Sequence, residues 1–91
     1  MFDPRNLNRD QLAALDDAIG LYLNSRRHAP FDFSLNLLSD CQNARLKVLL
    51  RQAVSPQEVV ALARAVEFAA NVTRSERKRQ LFYALQSVVQ P

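Results

Sequence analysis

His28 and Cys41 are the only side chains in the sequence with soft-ligand or thiol chemistry. A metal centre needs several His, Cys or carboxylate groups that converge. One His and one Cys on either side of an expected helix boundary do not supply them. Nucleophilic catalysis by Cys41 would need His28 beside the thiol and a third group to orient the imidazole. Nothing in the spacing provides that arrangement. Asp16 and Asp17 form the one adjacent carboxylate pair. Neighbours on a helix point about 100° apart and do not share a proton. A single glycine, Gly20, leaves no loop able to cradle a phosphate. The expectation is a protein that is not an enzyme and that uses no cofactor, no metal and no small molecule. Cys41 then reads as a small apolar core residue, and His28 as a linker or C-cap residue.

Arg74, Arg77, Lys78 and Arg79 form the only dense basic cluster. They fall where a fourth helix should begin, and positive charge there opposes the helix dipole. A local rule broken in this way fits a site for an acidic surface or a phosphate backbone, although a solvated turn looks the same. A helix-turn-helix fits poorly. Its recognition helix must bury apolar residues in its first two turns, and here those turns read RSERKRQ. Nucleic-acid binding would therefore be generic backbone contact. No aromatic residue interleaves with the cluster, which weakens a single-strand reading.

The bulk numbers narrow the class further. Ninety-one residues, 48% hydrophobic and 23% charged, describe one globular domain with one core. No apolar run approaches the roughly 18 residues of a membrane span. The first ten residues, MFDPRNLNRD, contain no apolar signal core, so a cytoplasmic location and a bacterial or phage source are expected. The net charge of +3 is unevenly spread. Residues 1–44 carry four basic and six acidic groups, a net of −2, and residues 45–91 carry eight basic and three acidic groups, a net of +5. Such a split can orient two copies of a chain or steer an acidic partner.

The elements that must position these residues are helices. Glycine and proline occur only at Pro4, Gly20, Pro30, Pro56 and Pro91, and no hairpin signal is present. The spacing predicts helix one over 9–25, opened by Asn8 and Gln11 in a capping box. Its stripe is Leu12, Leu15, Ile19, Tyr22 and Leu23. Gly20 inside it either permits a close helix crossing or is merely tolerated. A linker from His28 to Phe33 should bury Phe31 or Phe33, and Ser34 should cap helix two. Helix two is expected over 35–53, with Leu35, Leu38, Leu46, Leu49, Leu50 and Ala53 opposite a polar stripe. A rival start at Ser39, with Gln42, stays open. Helix three, 56–71, opens on SPQE, in which Ser55 and Glu58 make a capping box around Pro56. It is apolar nearly all round, so it should be central. Helix four is expected over 74–89 from a Thr73–Glu76 box, with a break near Asn71–Thr73 rather than one continuous rod.

These readings predict an all-α, small four-helix bundle with helix three at its centre. Apolar residues beyond the needs of a core remain: Leu37 and Val48 on helix two, Phe82 and Val89 on helix four. They predict a partner-binding face rimmed by Arg74, Arg77, Lys78 and Arg79. The function expected is a non-enzymatic protein-binding module: an adaptor, chaperone or inhibitor that masks a site on a larger protein. A homodimer is a further reading of the same face. The alternative is a nucleic-acid-binding accessory protein that uses the basic turn.

Overall fold

Helix α3 (Pro56–Val72) buries residues on most of its circumference, among them Val59, Ala61, Leu62, Ala65, Val66, Ala69 and Ala70. Its alanines let neighbours approach closely, and α1 (Arg9–Ser25), α2 (Leu35–Leu49) and α4 (Glu76–Val88) all pack on it. In this computed structural model residues 2–25 and 35–90 are described, 35–38 as backbone alone. Among the described residues there is no strand. The expected all-α bundle with helix three central is what the structure shows. α1 also touches every other helix, so α1 and α3 form the central pair and α2 and α4 lie on the edges.

Local sequence sets most of the helix starts. Gln11 N–H donates to Asn8 Oδ1 at 2.8 Å, and Asn8 N–H donates to Gln11 Oε1 at 2.9 Å, closing the predicted box of α1. The Ser55–Glu58 box opens α3 as expected. The Thr73–Glu76 box does not form. Thr73 N–H instead donates to Ala69 O at 3.0 Å and closes α3, so its backbone is already committed. Ser75 caps α4, and its hydroxyl accepts from Lys78 N–H. The break near residue 73 is therefore real, and α4 begins two residues later than the Thr73–Glu76 pattern suggests.

α2 ends at Leu49 rather than Ala53. Arg51 adopts φ 55°, Arg51 N–H donates to Val48 O, and Gln52 N–H donates to Lys47 O. This is a Schellman stop, which usually carries Gly at the left-handed position. An Arg there gave no warning in the sequence. The Arg51 guanidinium holds the turn against the N-terminal segment by donating to Leu7 O at 3.2 Å. That segment forms a short 3-10 turn, Pro4–Asn6, and buries Phe2, Pro4 and Leu7, which the polar N-terminus did not suggest.

The larger correction concerns which faces point inward. Val48, Phe82 and Val89, expected on a surface, are each 1% exposed. On α2 the core line is Cys41, Ala44 and Val48, while Leu46, Leu49 and Leu50 point outward. α2 packs on α1 and α3, and its inward line is the one of smaller side chains, which allow closer approach. On α4 the core line is Phe82, Leu85 and Val89, and Leu81 and Val88 are partly exposed. The predicted stripe was thus rotated by about 100°, one residue position. The core line of α1 was read correctly, with Leu15, Ile19 and Tyr22 buried and Tyr22 edge-on to Phe68 at 5.6 Å. The His28–Phe33 linker, the burial of Phe31 or Phe33, the Ser34 cap and the side chain of Leu37 lie outside the described residues.

Candidate partner-binding surfaces

The outward face at the end of α2 carries Leu46 and Leu49, and Leu50 follows as the next residue. Leu46 is 59% exposed, Leu49 56% and Leu50 58%. Spacing of i, i+3 and i+4 puts them on one ridge. α2 is held in place beneath them by ion pairs to both central helices. Arg45 Nε donates to Asp16 Oδ1 at 2.8 Å, and Lys47 Nζ donates to Glu58 Oε1 at 2.8 Å. Glu58 is nearly buried. Burial pushes its carboxyl up, but the bonds from Lys47 and Ser55 outweigh that and hold it below its ordinary value. The capping residue of α3 therefore also anchors the ridge helix.

A second surface lies between α1 and α4. It is a trough of about 500 Å³, floored by Ala13, Ala14, Leu81 and Phe82. Asp10 and Asp17 stand on the α1 wall, and Arg77 and Lys78 on the α4 wall. A shallower hollow of about 270 Å³ continues it past Gly20 and Leu21, and Asp17, Lys78 and Phe82 line both. Among the described residues the ion pairs are Asp3–Arg5, Asp16–Arg45, Glu58–Lys47 and Glu76–Arg79. None of the four charged residues on the trough walls takes part in one. The volume lies within the range of sites that bind other molecules.

The predicted site residues are thus divided. Arg77, Lys78 and Phe82 come together at the trough, with Phe82 as its floor rather than a projecting anchor. Arg74 is exposed on the connection before α4. Arg79 is engaged within the fold: it donates to Thr73 O at 2.8 Å, to Ala70 O at 3.4 Å and to Glu76 Oε2 at 3.0 Å. It satisfies carbonyls at the end of α3. Val48 and Val89 belong to the core. The basic turn is no rim to the leucine ridge. The ridge precedes the start of α3 and the turn follows its end, and 17 helical residues separate them by roughly 25 Å.

No protein-family model, curated protein or solved structure matches the chain. Its chemistry must be read from these residues. Cys41 is fully buried, and burial pushes its thiol up to about 11, against a weaker pull from Arg45. It is no thiolate nucleophile at neutral pH. Among the described residues no three His, Cys, Asp or Glu side chains gather around a common point. No helix among them is long and apolar enough to cross a membrane. Gly20 does not mark a close crossing, because a Cβ there would meet Arg45 Nη2 at an ordinary 3.8 Å. The acidic wall and the leucine ridge were missed by sequence reasoning. The signal available for the ridge was that helix two has two apolar lines, and only the one of small residues suits a close-packed edge helix.

Proposed function

We propose that the protein is a non-enzymatic protein-binding module, an adaptor, chaperone or inhibitor that covers a site on a larger protein. The observation that carries this reading is the leucine ridge, in which three side chains at i, i+3 and i+4 are each more than half exposed. A helix that docks into an apolar groove presents its anchors at this spacing. Fully burying a leucine is worth about 1.5–3 kcal/mol, so completing the burial of each supplies on the order of 1 kcal/mol. Arg51 beside the ridge would favour a groove with an acidic edge, whereas Lys47 is already paired with Glu58.

The test is affinity capture from native extract with the wild-type chain and with Leu46→Ser/Leu49→Ser, each with and without nuclease. The expected result is one stoichiometric protein that survives nuclease, is retained by the wild type and is lost with the variant. Retention of that protein by both chains, with the variant melting at the same temperature as the wild type, would rule the ridge out.

A second reading keeps the basic turn as a nucleic-acid contact. It is supported by Arg74, Arg77 and Lys78, three exposed cations that form no ion pair among the described residues. Asp10 and Asp17 across the trough oppose it, since they repel phosphate. It expects capture that vanishes with nuclease and an affinity that falls steeply with salt.

A further inference from the structure

From the charges on its walls we infer that the rims of the α1–α4 trough are a homodimer face, meeting the same rims of a second copy across a water-filled space. One wall carries Asp10 and Asp17, and the other carries Arg77 and Lys78. A two-fold axis lying along the trough exchanges left and right, so the acidic wall of each copy meets the basic wall of the other. An isologous interface makes every such contact twice. Asp17 and Lys78 both line the trough and the hollow that continues it, so they stand opposite each other at the junction. The axis sets each copy's Asp17 against the other's Lys78. Apolar contact comes from Leu81 of the trough and Leu21 of the hollow that continues it, which are 38% and 39% exposed.

Rotation about any axis across the trough would instead set acid on acid and base on base. A second copy carries the complementary walls, and the charges fix its orientation. The uneven charge of the two halves of the chain, −2 for residues 1–44 and +5 for residues 45–91, has the same sense. The contact is one helix pair wide, at the small end of protein interfaces, so the dimer should be weak and weakened further by salt. This inference does not depend on the leucine ridge, which lies on the outward face of α2.

The experiment is sedimentation velocity on three chains at low and high salt, up to high micromolar concentration. The first is the wild type. The second, Asp10→Lys/Asp17→Lys, has two basic walls, and the third, Arg77→Glu/Lys78→Glu, has two acidic walls. All four positions are exposed, and circular dichroism checks that each variant is folded. The wild type should dimerise, with Kd rising at least about tenfold at high salt. Each variant alone should be a monomer, and an equimolar mixture of the two should form a one-to-one heterodimer. A wild type that stays monomeric at low salt overturns the inference, and so does a variant that dimerises alone or a mixture that does not associate. Capture of a protein through the ridge by a strictly monomeric chain would overturn the dimer and leave the ridge reading standing.

Discussion

The leucine ridge of α2 and the trough between α1 and α4 are two exposed surfaces among the described residues of this bundle. They differ in what they would ask of a partner. The ridge is convex and apolar, and its nearest cation, Lys47, is already tied to Glu58. The trough is concave, and its walls carry charges of opposite sign with no ion pair among them. Burial of the ridge would be little affected by salt, whereas contacts across the trough would be screened. A small domain can thus hold two interaction surfaces that respond to different conditions, provided that the helices separate them.

That comparison depends on the rotation of α2 and α4 about their axes, and the strongest way to break it is to truncate residues on either side of the divide. Phe82→Ala should cost about 3–5 kcal/mol, and Val48→Ala about 1–3 kcal/mol, because both side chains are in the core. Leu49→Ser, next to Val48, should change stability by no more than about 0.5 kcal/mol. Urea unfolding of the three variants decides the matter, and a Leu49 variant as damaged as the Val48 one would mean that α2 faces the other way.

Glu58 links the ridge helix to the central helix, and acid tests the link. Its carboxyl is held below the ordinary 4.5 in the folded chain. The stability it adds is therefore complete above that value and is lost as pH falls through the lower folded value. Wild-type stability should drop as the solution is taken below about pH 4.5, and Glu58→Gln should flatten part of that drop. At neutral pH the same substitution should cost about 1 kcal/mol, through the weakened capping box and the loss of the carboxylate that pairs with Lys47. Equal acid sensitivity of the two chains would show that Glu58 does not anchor α2.

The basic turn should divide in the same way. Arg79→Ala should cost about 1 kcal/mol, because it leaves Ala70 O and Thr73 O without their donor. Arg77→Ala should be neutral to about 0.5 kcal/mol in thermal melts. The smallest effect is a gain. Gly20→Ala should stabilise α1 by up to about 1 kcal/mol, since the added methyl meets only Arg45 Nη2 at 3.8 Å. A loss there would mean that the hollow beside Gly20 has less room than its geometry shows.

Much of this architecture is local, which is why it was legible. Asn8 with Gln11, and Ser55 with Glu58, start their helices through bonds between residues three apart, and no distant contact is needed to form them. The apolar circumference of α3 identified it as the centre, because a helix without a polar face must be enclosed. The start of α4 was misplaced for the opposite reason. Thr73 has the right neighbours to cap it, but its N–H closes α3 through Ala69 O. Of the candidate site, Arg77, Lys78 and Phe82 were identified from the sequence, while the acidic wall that faces them was not.

Four helices, the capping boxes of α1 and α3 and the central place of α3 follow from the sequence alone. Tertiary structure alone decided which of two apolar lines on α2 and on α4 turned inward, and so which residues are left to meet a partner. The physical reason is that helical periodicity specifies a stripe only when a helix has one. With both Cys41–Ala44–Val48 and Leu46–Leu49–Leu50 available, packing against α1 and α3 turned the line of smaller side chains inward. The trough is of the same kind: Asp17 and Lys78 lie far apart in the chain, and only the packing of α1 beside α4 sets them face to face.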